Sequence, residues 1–401
     1  MSALTDASRL SLRPLTVVAE HDEYVIGDPA TGRFFAVPPA GLLVLGALRD
    51  GKTIGEAATV AASPGEELDV LDFADVLVRA GFVAAVDGHA VGAGPAPAAK
   101  AFNPLAGRAA RALFSEPMIV LSGVVLLATV AVFAVTPPLR PKFEDLFMHP
   151  QPAISFAVLF GVSIATGMLH ELCHWWAARG LGVPARIRLS RRLYIPVMET
   201  DVSGLWSLPA RQRYGPFLAG MVCDVLTLAI AVALRLAWSA EVIDLSPTAV
   251  RILGAFVTLK VFELTFQFLV FLRTDLYAVM ITALGARNLD RVTRLRLKAV
   301  FGLARPRERA ELADAHPRDL AASRWYAVFY VLGLLWAVWF FKAWFYPSTF
   351  VVATWMGSTL GHAPAGSGDW WQAVLVMALV STNVIWPLAV YVRQRRARVA
   401  S

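Results

Sequence analysis

The run His170-Glu171-Leu172-Cys173-His174 lies inside an otherwise apolar stretch. On a helix, residues four apart share a face, so both imidazoles can reach one zinc ion at about 2.0–2.1 Å, with Glu171 beside them to take a proton from an activated water. Ionisable groups within a membrane span are costly, and three in one turn have no structural excuse without a metal. A catalytic zinc needs a third protein ligand and an open position. The later acids that could supply it are Asp224, Glu263 and Asp275. Glu263 follows Lys260 by three residues, a spacing that reads as an ion pair on one helix. Asp275 follows Arg273 where the fourth apolar stretch ends, on the side that the carboxyl end of the HExxH stretch also reaches. Depth therefore favours Asp275, with Asp224 as the alternative ligand. As a non-ligand, Asp224 reads as a group that contacts substrate or orients a ligand by hydrogen bonding. Cys173 sits one position from a face already taken by His174, so it and Cys223 read as small buried apolar residues. His21, His89, His149, His316 and His362 fall in loops or in the soluble part and carry no assigned role.

Such residues need a membrane scaffold, and the composition provides one. Of 401 residues, 57% are hydrophobic and only 17% charged, against roughly 25% charged in soluble domains. A soluble, disordered or collagen-like chain is excluded. Six spans are expected: Pro117 to Val135, Ile154 to Arg179, Tyr214 to Trp238, Ala249 to Leu272, Trp325 to Phe345 and Trp371 to Val392. Met1 to Pro14 lacks the apolar core of a signal peptide, which keeps the amino terminus in the cytoplasm. Threaded from there, the three outer loops, including Tyr346 to Asp369, hold only Arg140 and Lys142 as bases, and the arginine-rich segments all face inward. Both termini are then cytoplasmic, in a cell membrane. The net charge of +7 follows from this topology, and no nucleic-acid partner is needed to explain it. Val183 to Ser203 alternates in the manner of a hairpin beside the site, with an exposed edge suited to holding a substrate extended.

Residues 1 to 90 read as a separate soluble domain. Leu15 to Val37 alternates as short antiparallel strands, broken at Gly27-Asp28-Pro29 and Ala30-Thr31-Gly32. Helices follow over Pro39 to Leu48, after a Thr53/Glu56 capping box, and over Glu66 to Arg79, with a closing strand at Phe82 to Val86. That order suggests a winged-helix-like module, yet its third helix is acidic and offers no phosphate-neutralising surface. Residues 91 to 112, rich in Gly, Ala and Pro, read as a linker, and 113 to 401 as the membrane domain. The fold class is thus a multi-pass α-helical membrane protein with a small N-terminal α+β winged-helix-like domain.

Two resemblances add to this reading. The segments Val25-Ile26-Gly27-Asp28 to Phe34-Phe35-Ala36-Val37, Leu48-Arg49-Asp50-Gly51-Lys52-Thr53-Ile54 and Leu77-Val78-Arg79-Ala80-Gly81-Phe82-Val83 resemble PqqD-like peptide-recognition domains, in which a leader peptide adds as a strand to a sheet edge. HExxH followed by Gln267-Phe268-Leu269-Val270-Phe271-Leu272-Arg273-Thr274-Asp275-Leu276-Tyr277 resembles the site-2 protease family of intramembrane zinc metalloproteases, in its peptide-zinc-metalloprotease variant. That family carries Asn-x-x-Pro-x-x-x-x-Asp-Gly, where this chain has Gln267, Val270 and Leu276 in place of Asn, Pro and Gly. Thr200 to Arg211 and Leu218 to Asp224 resemble the same variant. The resemblance implies that His170, His174 and Asp275 hold zinc, that Glu171 is the catalytic base, and that Gln267 and Asp224 contact substrate. Jointly the two imply a zinc endopeptidase that matures a ribosomally made peptide, working with peptide-modifying enzymes or an exporter. Cleavage of a membrane-bound regulator, or a non-catalytic peptide-binding or immunity role, are the alternatives.

Overall fold

The computed structural model describes residues 4–29, 31–61, 68–91, 102–192 and 195–381. Contacts divide the chain into two units, the first formed by Met1–Arg111, Trp175–Arg186 and Asp201–Tyr214. Its amino-terminal part runs β1 (Leu10–Leu12), β2 (Thr16–Glu20), β3 (Glu23–Asp28), β4 (Arg33–Val37), α1 (Pro39–Arg49), α2 (Ile54–Ala61), α3 (Val70–Ala80), β5 (Val83–Val86) and β6 (His89–Ala90). The strands form two antiparallel sheets, ordered β2-β3-β4 and β1-β5-β6. Ile26, Val44, Leu45, Leu48, Ile54, Leu77 and Phe82 fill the core between sheets and helices. Burying that set is what drives so small a domain to fold.

The strand and helix sequence expected for this region is present, with shifts that have local causes. The first strand break falls at His21-Asp22, where His21 takes a left-handed φ of 57°, and not at Gly27. Gly27 stays inside β3 because the Phe34 ring lies against its backbone, in space that a side chain would need. The capping box forms as expected: the Thr53 N–H donates to Glu56 Oε2 at 2.7 Å and the Glu56 N–H to Thr53 Oγ1 at 3.2 Å. The third helix starts later than expected, at Val70, because Asp69 caps it by accepting from the Leu71 and Asp72 N–H groups. β1 escaped the sequence reading, since three residues are too few to show a period. Within the proposed linker, Asn103 and Pro104 open a further helix, α4 (Pro104–Leu113), with Asn103 accepting from the Leu105 N–H at 2.9 Å. Asn before Pro is the ordinary signature of a helix start.

One further piece of this unit, Asp201–Tyr214, packs on the amino-terminal domain. A 3-10 turn at Ser203–Ser207 meets the β2-β3-β4 sheet. Next to it Arg213, with no exposed surface, donates from both terminal nitrogens to the two carboxylate oxygens of Glu20 at 2.9 Å. The same guanidinium lies 4.5 Å from the Trp206 ring centre.

The second unit holds Ala112–His174, Ile187–Thr200 and Gly215–Ser401. The helices after α4 are α5 (Glu116–Val135), α6 (Pro152–Gly180), α7 (Ala210–Ser239), α8 (Pro247–Gln267), α9 (Asp275–Leu284), α10 (Leu289–Val300), α11 (Pro306–Ala313), α12 (Pro317–Phe340) and α13 (Tyr346–His362). Between α6 and α7, β7 (Arg186–Arg192) and β8 (Ile195–Asp201) pair as the expected two-stranded hairpin. Arg188 and Glu199 bridge it at 2.7 Å.

Among the described residues, four stretches are long and apolar enough to cross a membrane: Glu116–Val135, Pro152–Gly180, Ala210–Ser239 and Pro317–His362. On α5, Val120, Leu121, Val124, Leu127 and Val130 are all exposed, a surface that suits lipid and not water. The protein is a membrane protein on this ground. The expected fourth span corresponds to α8, which forms but carries Arg251, Lys260 and Glu263 and so falls outside the four. The expected sixth span begins as helix over 368–381 and lies outside the described residues from 382 onward. A correction concerns the expected outer loop Tyr346 to Asp369: the chain stays helical through α13. A π-turn at Phe341–Phe345 widens the backbone just before Pro347. That widening is how a helix accommodates a proline whose ring would strike the preceding turn.

Candidate metal centre

α6 places His170 and His174 one turn apart, and each ring is oriented from its Nδ1 side. The His170 Nδ1–H donates to Asp224 Oδ2 on α7 at 2.7 Å, and the His174 Nδ1–H to the Pro216 carbonyl at 2.7 Å. With their protons so committed, both rings present an Nε2 lone pair to the same point. Those nitrogens are 3.0 Å apart, and Asp275 Oδ2 lies 3.0 Å from the first and 3.3 Å from the second. Three groups that can each offer an electron pair to a metal thus converge on one point. The spacing also fits: tetrahedral ligands at about 2.0–2.1 Å from a zinc stand about 3.3 Å from each other. His170, His174 and Asp275 form a group able to hold a metal ion. Gly220 on α7 makes room for it, since any side chain there would overlap the His170 ring.

Asp275 reaches this point through a break in the helical path. α8 stops at Gln267, a 3-10 turn spans Val270–Leu272, and Arg273 takes the left-handed conformation at φ 56° before α9 begins at Asp275 itself. A non-glycine residue held there costs of order 1–3 kcal/mol and persists only where its surroundings impose it. Here they do so on three sides. Arg273 donates to Asp290 Oδ2 at 2.7 Å, the Thr274 hydroxyl to the Gln267 carbonyl at 2.6 Å, and the Asp275 N–H to Gln267 Oε1 at 3.2 Å. Gln267, expected to contact substrate, therefore has its carbonyl end folded back onto the turn that presents the ligand. Tyr277 supports the same turn from below, its hydroxyl accepting from the Asp290 N–H at 3.3 Å. Burial pushes its phenol above the ordinary tyrosine range.

Asp224 is 3% exposed, and its second oxygen accepts from Lys260 Nζ at 2.7 Å. It stands behind His170, on the ring nitrogen opposite the metal group, and with both oxygens engaged it is poorly placed for the expected contact with substrate. The expected Lys260–Glu263 ion pair is present at 2.6 Å. Glu171 Oε2 accepts the Thr200 N–H at 2.7 Å, and the Thr200 hydroxyl donates to the Glu171 carbonyl at 2.8 Å. Cys173 and Cys223 are free and half-buried.

Sequence reasoning missed Thr200, Gly220 and Pro216 as parts of the site. Pro216 and Gly220, four residues apart inside an apolar helix, were a signal: both weaken a helix unless another group uses the space or the carbonyl. Thr200 gave none, because its role depends on where the hairpin ends. No family model, characterised protein or solved structure matches the chain.

Proposed function

We propose that this protein is a zinc endopeptidase embedded in the cell membrane, of the site-2 protease type, which cleaves a peptide or membrane-associated precursor. The observation that carries the reading is the convergence of His170 Nε2, His174 Nε2 and Asp275 Oδ2 within 3.0–3.3 Å, with Glu171 on the same helical turn. Zinc held by His170, His174 and Asp275 would acidify a water and polarise the scissile carbonyl. Glu171 would accept that water's proton and pass it to the leaving amine. The Thr200 N–H holds that carboxylate in place, and Asp224 and the Pro216 carbonyl keep both imidazoles turned inward.

The amino-terminal domain serves as the precursor-capturing part. Among the described residues β2 and β4 each pair only with β3, so the sheet offers two edges at which a leader strand can bind through main-chain hydrogen bonds. This supports maturation of a ribosomally made peptide over cleavage of a regulator. The test is metal analysis of the purified chain, combined with mass spectrometry of peptides that accumulate in cells carrying Glu171→Gln. Stoichiometric zinc and one accumulating precursor support the proposal; a chain without zinc, or normal processing by Glu171→Gln, refutes it.

A further inference from the structure

Lys260 takes no part in the chemistry above, yet it is only 1% exposed. An ammonium group so deeply buried is expensive and needs a use as well as a partner. Its ion pair with Glu263, one turn away on α8, would suffice as a partner. The structure gives it a second. Lys260 Nζ also donates to Asp224 Oδ1 at 2.7 Å, and Asp224 Oδ2 receives the His170 Nδ1–H at 2.7 Å. At the far end, the Ser163 hydroxyl donates to Glu263 Oε1 at 3.4 Å. The contacts thus leave α6 at His170, cross α7 and α8, and return to α6 at Ser163, two turns before His170 on the same face.

A carboxylate held at only one oxygen can turn about its Cβ–Cγ bond and let the imidazole turn with it; one held at both oxygens cannot. We propose that Lys260 is a positioning residue of the metal centre: by occupying the far oxygen of Asp224, it locks the carboxylate that orients His170. Glu263 balances the lysine charge, and Ser163 ties that balance back to the ligand-bearing helix. The inference rests on the metal-site reading, though not on proteolysis.

The test uses the full-length chain in detergent, with zinc affinity measured by chelator competition and the visible absorption bands of bound Co2+ as a second readout. Lys260→Met should weaken zinc binding about tenfold or more, the range for removal of outer-shell supports, and should shift the Co2+ bands. Glu263→Gln leaves the Lys260–Asp224 contact in place, so its zinc affinity should stay within about twofold of the parent chain. Asp224→Asn/Lys260→Met should bind zinc no more weakly than Asp224→Asn, because Lys260 acts only through Asp224. Should Lys260→Met fail to fold, Lys260→Met/Glu263→Gln removes the unpaired carboxylate and carries the same expectation. The proposal is overturned by a folded Lys260→Met chain with unchanged affinity, by equal losses in Lys260→Met and Glu263→Gln, or by additive losses in the double variant. A parent chain that binds no zinc would instead defeat the metal-site reading itself.

Discussion

Thr200, at the end of β8, grips Glu171 twice: its N–H donates to the side-chain carboxylate at 2.7 Å and its hydroxyl to the main-chain carbonyl at 2.8 Å. The hairpin and the proposed general base are therefore mechanically one piece. Thr200→Val removes the hydroxyl bond but keeps the N–H and the side-chain shape, a loss of about 0.5–1.5 kcal/mol. Precursor turnover should fall no more than about tenfold, with zinc content unchanged. Thr200→Pro also removes the N–H and should reduce turnover much further at the same zinc content; loss of zinc in either variant would show that the hairpin supports the ligands and not the base.

Asp275 and Asp224 are both close to His170, on opposite ring nitrogens. Asp275→Asn should abolish stoichiometric zinc, because it removes a ligand charge. Asp224→Asn should retain zinc with an affinity about 10–100-fold lower, as expected of a group that acts through a ligand. Metal content after dialysis against graded chelator separates the two, and the reverse order would exchange their roles.

Gly220 offers a test whose sign is diagnostic. In an ordinary helix interior, replacing Gly by Ala gains about 1 kcal/mol. At position 220 the new methyl would overlap the His170 ring, so Gly220→Ala should lower both the unfolding temperature and the zinc stoichiometry. A stabilised chain with full zinc would mean that the ring is not packed where the structure has it.

Arg213 is fully buried against Glu20. Glu20→Ala leaves its charge uncompensated and should destabilise the amino-terminal unit by about 3–5 kcal/mol, whereas Glu20→Met/Arg213→Met should recover most of that loss. Thermal unfolding and the rate of limited proteolysis between domain and membrane helices report both effects.

Glu56 supplies a pH-dependent element. The Thr53 N–H that it accepts holds its carboxyl below the ordinary glutamate value. The depressed folded-state pKa means that this stabilisation is complete above the unfolded-state value and is lost as the pH falls through the folded one. Glu56→Gln, whose amide oxygen still accepts but does not titrate, should abolish that acid-side loss in the hydrogen-exchange protection of the first turn of α2.

Much of the site was legible because ionisable residues in apolar helices stand out. His170, Glu171, His174 and the Lys260–Glu263 pair follow from spacing alone, and Asp275 from the depth at which its helix ends. What stayed hidden depends on neighbours far apart in sequence. Nothing in the spacing of Lys260 points to Asp224, thirty-six residues earlier, and Thr200 shows no role until the hairpin brings it to Glu171. In the fold, periodic segments were read well. A single residue misled where a neighbouring contact overrode its local habit, as with Gly27 under Phe34.

The position of His170 along α6 bears on how the proposed reaction is supplied. It stands about 27 Å from the start of the helix at Pro152, at 1.5 Å per residue, and the hydrocarbon layer is about 30 Å thick. Were Pro152 to lie at one boundary, the metal group would lie just inside the other. Each peptide bond cut consumes one water molecule, so that water needs to cross only a shallow layer of lipid, from the side where the β7–β8 hairpin lies in sequence after α6. The thickness of the surrounding bilayer then becomes a control on turnover, because longer acyl chains bury the same residues deeper and lengthen the path of the one reactant that lipid excludes.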